Sequence, residues 1–233
     1  MMGWYKEVGM HGYFRRFIHC CGVFAEMMYS AMQITYGAWR VSVLPRPIVT
    51  IFGGSRWQES SPYAHQAREL AQLLVQHDIS VLHGGGPGIM EAVARGGLDY
   101  AGKATTLGIG VRSLNDKSKY IKDYFDLKFF FERKWLMTRY SVGFIFFPGG
   151  LGTFDELGEV LTLIQTKQLS KVPIILVGKD YWKPLIEWID EMLKYGLITP
   201  EHKDLFVVSD DVQRVLSLVC KECTAPREPV KKV

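Results

Sequence analysis

The chain has 233 residues, 48% of them apolar and 22% charged, which suffices for one large domain with a substantial core. Its formal charge of +4 suits a small anionic partner, and the absence of a dense basic cluster argues against a nucleic-acid partner. Four cysteines, two of them adjacent (Cys20 and Cys21), do not form a disulfide framework, so the expected compartment is the reducing cytoplasm.

Residues 17–44 are rich in Met, aromatics and Ala, but Glu26, Ser30, Gln33 and Thr35 interrupt the run. It falls short of the ~18 uninterrupted apolar residues of a membrane span. The expectation is an amphipathic helix packed on the domain or on a partner subunit, with no membrane partner and a homodimer or a multiple of one as the assembly. Pro45 and Pro47 then mark a boundary. The division read from this is a helical extension over 1–45, a nucleotide-binding domain over 46–222 and a flexible tail over 223–233.

Past the boundary, β-rich and helical runs alternate. Strands are predicted at 48–52, 79–83, 106–111, 142–147, 172–177 and 205–208. Helices are predicted at 61–77, 90–101, 132–139, from the loop after Phe147 to about Gln168, at 182–195 and at 211–219. Residues 112–127 read as a long polar loop. The Cys220–Cys223 pair is placed beyond the last helix. This pattern predicts an α/β fold, a doubly wound Rossmann-like parallel sheet with helices on both faces.

Two glycine-rich turns stand between a strand and a helix. The first runs His83, Gly84, Gly85, Gly86, Pro87, Gly88, Ile89, Met90; the second runs Pro148, Gly149, Gly150, Leu151, Gly152, Thr153, Phe154, Asp155, Glu156. Bare glycines let several backbone N–H groups converge on one anion, and the helix behind adds its unsatisfied amides and partial positive charge. In a doubly wound sheet the strands ending at Phe52 and Phe147 are expected to be neighbours. Gly53 and Ser55, after the first strand, then border the same pocket as both turns. A dinucleotide site would put the glycine fingerprint on the first turn and an acid at the end of the second strand, where His83 stands. Neither turn is followed by the Lys-Ser or Lys-Thr of an NTPase. His83 itself is expected to pack at the strand end. For Thr153 and Glu156 a capping box, Thr-x-x-Glu, is the structural alternative to a ligand role.

The two turns together resemble the LOG family of cytokinin riboside 5′-monophosphate phosphoribohydrolases, long labelled lysine decarboxylases. A third segment, Phe131-Glu132-Arg133-Lys134, is similar to that family's Glu-Arg-Lys helix start. The resemblance spans about residues 48–220. It implies Arg133 and Glu156 as the catalytic pair, 23 positions apart, with Lys134 and Thr162 also at the site. It implies a nucleoside 5′-monophosphate substrate, AMP or an N6-modified AMP, whose phosphate sits on the amides of the two turns. Departures are Ser55-Arg56 where relatives carry Ser-Ser, and Asp155-Glu156 for Glu-Glu. No cofactor is expected. The six histidines are scattered without carboxylates at ligand spacing, so no metal is expected either. The alternative is a non-catalytic nucleotide or molybdenum-cofactor carrier of the same superfamily. Retention of both Arg133 and Glu156 favours the enzyme.

Overall fold

The structure is a computed structural model describing residues 10–114 and 117–224. Its elements in chain order are α1 (Met10–Ser42), β1 (Ile48–Phe52), α2 (Pro62–Gln76), β2 (Ser80–His83), α3 (Ile89–Leu98), β3 (Thr106–Val111), β4 (Tyr124–Leu127) and α4 (Phe130–Tyr140). There follow β5 (Phe144–Phe146), α5 (Leu151–Gln165), β6 (Ile174–Leu176), α6 (Lys179–Lys194), α7 (Pro200–Lys203), β7 (Val207–Val208) and α8 (Val212–Thr224).

The strands form one seven-stranded sheet in the order β4-β3-β2-β1-β5-β6-β7. Every pairing is parallel. Alternate residues of each strand feed two separate cores. Val49 and Ile51 of β1 face one side, where Leu70 and Leu74 of α2, Val93 of α3 and Val215 of α8 cover them. Ile48 and Phe52 face the other, beneath Leu136 of α4, Val160 of α5 and Trp182 of α6. Each fully buried side chain of this size contributes about 1.5–3 kcal/mol, so both faces must be covered. The doubly wound architecture follows from that two-sided burial.

Local signals start the helices that position the site. Ser61 caps α2, its hydroxyl accepting from the Tyr63 N–H at 3.2 Å, with Pro62 as first helical residue. Ala64, Ala67, Leu70, Ala71, Leu74 and Val75 then recur at helical spacing and are buried.

Three expectations change. The stretch 112–127 is not all loop: Tyr124–Leu127 pairs in parallel with β3 as an edge strand. Its apolar residues Phe125 and Leu127 are buried while Asp126 points outward, an alternation too short to stand out among the surrounding lysines and aspartates. The last helix runs through Cys220 to Thr224, so the two cysteines lie on it rather than after it. The expected tail therefore loses its first two residues to α8, and the rest of it lies outside the described residues. Among the described residues no helix is long and apolar enough to cross a membrane.

Candidate active site

The sheet changes direction between β1 and β5. To one side of β1 lies β2, with Val49 opposite Val81; to the other lies β5, with Ile51 opposite Ile145. Chains leaving these strands diverge to opposite faces, which opens a crevice at their carboxyl ends. Three turns close around it. The Gly54 N–H donates to the Pro148 carbonyl at 3.0 Å, and the Ile89 N–H donates to the Gly54 carbonyl at 3.1 Å. Trp57 adds its indole N–H to the Pro148 carbonyl at 2.7 Å. The first turn thus ties the two glycine-rich loops together.

The crevice is a cavity of about 750 Å³. Gly53 and Ser55 line it from the first turn, Gly84, Gly85, Gly86 and Met90 from the second, and Gly149, Gly150, Leu151, Gly152 and Thr153 from the third. Arg133 and Glu156 line it as well. Helix α5 begins at Leu151 with Gly150 as its cap. The amides of Leu151, Gly152 and Thr153 are therefore first-turn donors with no acceptor inside the helix. Thr153 is not the cap, and Glu156 does not reach back to it, so the capping-box alternative is lost. Helix α3 begins at Ile89 behind Gly88, whose φ of +67° suits glycine. A Cβ there would lie 2.5 Å from the Gly54 carbonyl oxygen.

His83 is wholly buried at the end of β2. Its Nδ1 accepts from the Gly85 N–H at 3.2 Å, which requires the proton on Nε2. Burial alone pushes its pKa down to about 3, so the ring stays neutral and fixes the loop above it. The Gly85 and Ile89 amides are spent on these internal bonds.

A carboxylate and a guanidinium meet in the site from different elements. Glu156, on the second turn of α5, forms an ion pair with Arg133 of α4, and both are nearly buried. Burial raises the Glu156 carboxyl to about 7; the Arg133 guanidinium offsets only part of that cost, and Asp155 adds to it. Arg133 does not pair with Glu132 or Asp155. Glu132 instead caps α4, accepting from the Phe129 N–H at 3.0 Å. Asp155 faces Lys134 at 3.0 Å, and Lys134 also meets Glu159 at 2.7 Å.

Five of the expected contacts do not line the cavity. Lys134 and Asp155 form the outer ion cluster just described. Thr162 turns its hydroxyl to the Gly158 carbonyl of its own helix at 2.8 Å. Phe154 packs toward Trp188, ring centroids 6.2 Å apart. Gly88 lies behind the loop, against Gly54 and Ser55. Other residues contribute instead. Arg56, Leu114, Tyr124, Phe130 and Tyr181 all line the cavity. The Tyr181 hydroxyl donates to the Gly149 carbonyl and pins that loop from outside. Tyr124 lies flat over β3 because Gly110 gives it room: a Cβ there would lie 1.9 Å from the tyrosine oxygen. The Gly-x-Gly of β3 was the sequence signal for a covering aromatic. Among the described residues no group of three or more His, Cys, Asp or Glu side chains is placed to hold a metal.

Comparison with known proteins gives the family and the fold. Residues 90–219 match the family model described as "possible lysine decarboxylase". A cytokinin riboside 5′-monophosphate phosphoribohydrolase of Arabidopsis thaliana is 33% identical over 173 residues, covering 72% of this chain and 75% of the relative. The chain belongs to the LOG family. A cytokinin riboside 5′-monophosphate phosphoribohydrolase of Rhodococcoides fascians is 26% identical over 190 residues, covering 78% of this chain and 95% of its own. Solved structures share the fold: the molybdenum cofactor carrier protein of Chlamydomonas reinhardtii superposes with a TM-score of 0.59 at 20% identity, over 77% of this chain and 99% of that one. The molybdenum cofactor binding protein of Rippkaea orientalis gives 0.58 at 20% identity, over 77% and 98%.

Proposed function

We propose that this LOG-family chain hydrolyses the N-glycosidic bond of a nucleoside 5′-monophosphate, AMP or an N6-modified AMP, to free base and ribose 5-phosphate in the cytoplasm. The observation that carries the reading is the buried Arg133–Glu156 pair in the same cavity as two glycine-rich helix starts. Relatives from Arabidopsis and Rhodococcoides named as phosphoribohydrolases of such nucleotides support it, and the exposed thiols of Cys20 and Cys21 fit a reducing compartment.

In this mechanism the 5′-phosphate takes the first-turn amides of α5 and the unspent amides of the Gly84–Gly88 loop, with Arg56 as a nearby cation. The base lies among Met90, Leu114, Tyr124 and Phe130, apolar walls suited to a purine. As the bond from C1′ to the base nitrogen breaks, its electron pair leaves with the base and positive charge builds on the ribose ring. The Glu156 carboxylate stabilises that charge and takes a proton from the attacking water, whose oxygen bonds to C1′. The departing base gains a proton. Arg133 holds Glu156 in place with a planar guanidinium that an ammonium cannot copy. No lysine lines the cavity among the described residues, which disfavours Schiff-base decarboxylation despite the family label.

The test is incubation with AMP and with an N6-alkyl AMP, followed by chromatography for free base. The parent is expected to release base, and Glu156→Ala to lose at least ~100-fold of the rate, the lower range for general-base removal. Tight nucleotide binding without base release by the parent would transfer the site to the carrier reading.

A further inference from the structure

The polar side chains of the cavity divide by place. Among the described residues, Trp57 and Tyr181 spend their donors on the Pro148 and Gly149 carbonyls, and Arg133 pairs with Glu156. Ser55, Arg56 and Thr153 keep theirs without a partner among the described residues, and all three stand where β1 ends and α5 begins. That end also holds the unspent amides of α5. Beyond Arg133, toward β3 and β4, the lining is Met90, Gly110, Val111, Leu114, Tyr124 and Phe130. The Tyr124 hydroxyl is the one side-chain hydrogen-bond donor of that end, and among the described residues nothing pairs with it.

Three glycines hold the ring that carries this hydroxyl. Tyr124 stands opposite Gly108 in the β3–β4 register and leans across Gly110 toward the Gly85 loop. A Cβ on Gly85 would lie 2.6 Å from its Cε2, one on Gly108 3.1 Å from its Cδ2, and one on Gly110 1.9 Å from its oxygen. The Lys117 ammonium also meets the ring, 4.8 Å from the centroid. A ring gripped in this way loses little further freedom when its hydroxyl makes a bond. Burial raises the phenol above its ordinary value of 10, with Asp126 adding to the rise and Arg133 opposing it, so it stays a donor at neutral pH. In the sheet β1 and β3 are two strand spacings apart, about 10 Å. A mononucleotide reaches about that far from its 5′-phosphate to the edge of its base.

We propose that Tyr124 is the residue that reads the base: its hydroxyl donates to an unprotonated ring nitrogen of adenine while the 5′-phosphate occupies the α5 end. This assignment rests on the nucleotide reading of the cavity, and Tyr124 lies outside all three motifs that resemble the LOG family. The walls around the hydroxyl are apolar side chains. A base that turns a C–H to the hydroxyl therefore leaves it unpaired and binds more weakly. Ribose 5-phosphate, which has no base, gains nothing from Tyr124.

Isothermal titration calorimetry tests it on Glu156→Gln, which keeps the shape of the site and removes its carboxylate. The ligands are AMP, ribose 5-phosphate and the 1-, 3- and 7-deaza forms of AMP, each with one ring nitrogen replaced by C–H. Adding Tyr124→Phe keeps the ring and removes only the hydroxyl. The double variant is expected to bind AMP about tenfold more weakly, the effect of one neutral hydrogen bond, and ribose 5-phosphate with unchanged Kd. One deaza analogue is expected to bind both proteins equally, at the weaker level. Unchanged AMP affinity, an equal loss for ribose 5-phosphate, or the same loss persisting with all three analogues overturns the proposal. Base release by the parent is measured separately. AMP bound with the expected pattern but not hydrolysed overturns the hydrolase reading alone, whereas AMP that does not bind overturns both.

Discussion

Replacing His83 by asparagine isolates the cost of keeping a neutral imidazole beneath the Gly84–Gly88 loop. The folded ring titrates at about 3 because it is buried, against an ordinary value of 6.5 once the chain unfolds. The unfolded state therefore binds the proton more readily, so the stability from neutral His83 is intact above pH 6.5 and lost as pH falls toward 3. At pH 5 the unfolded imidazole is protonated in about 30 of 31 molecules and the folded one in about 1 of 100. That imbalance amounts to about 2 kcal/mol, a large part of the margin of a typical domain. Asparagine can place its amide oxygen where Nδ1 now accepts from Gly85, but it does not titrate. Urea unfolding at pH 7.5 and pH 5 should show the parent losing about 2 kcal/mol more than His83→Asn between the two. Equal losses in the two proteins would mean that the imidazole is solvated or charged in the fold, and the account of the loop's anchoring would fail.

Other outcomes follow from the same geometry. Because burial holds the Glu156 carboxyl near 7, kcat/KM for AMP should rise tenfold per pH unit below about 7 and level off above it, where the carboxylate form prevails. A flat profile from pH 6 to 8 would move the proton transfer to another group. Gly88→Ala forces a side chain into φ +67° and against the Gly54 carbonyl, so a stability loss of about 2 kcal/mol or more is expected in urea titration. A loss under about 0.5 kcal/mol would show that the two loops are not clamped through Gly54.

Much of the fold could be read from local pattern. The alternation of apolar strands and periodic helices states its physical reason directly, since a strand apolar on every residue must be covered on both sides. The edge strand Tyr124–Leu127 escaped because an edge strand alternates over only four residues, and lysines and aspartates surround it. At the site, Gly84–Gly86 and Gly149–Thr153 were legible because converging amides demand bare backbone. Phe130 and Tyr181 were not, since a lone aromatic carries no local sign of what it covers, and for Tyr124 the only sign lay on another strand, in Gly108 and Gly110. Lys134 and Thr162 came from family likeness alone; here Lys134 pairs with Asp155 and Glu159, and Thr162 bonds its own helix, rather than lining the cavity.

By itself, then, the sequence determined the two-faced parallel sheet and the two glycine-rich turns between strand and helix, because each is written in residues close together in the chain. Tertiary structure alone decided that Arg133 meets Glu156 rather than Glu132, and that Gly54 joins the two loops. It also decided that α1 docks on the domain through Ile34, Ala38 and Val41 and leaves Phe14, Phe17 and Phe24 exposed. Those outcomes depend on which surfaces lie opposite one another once distant segments fold together, and burial there, rather than local preference, sets both partners and proton affinities.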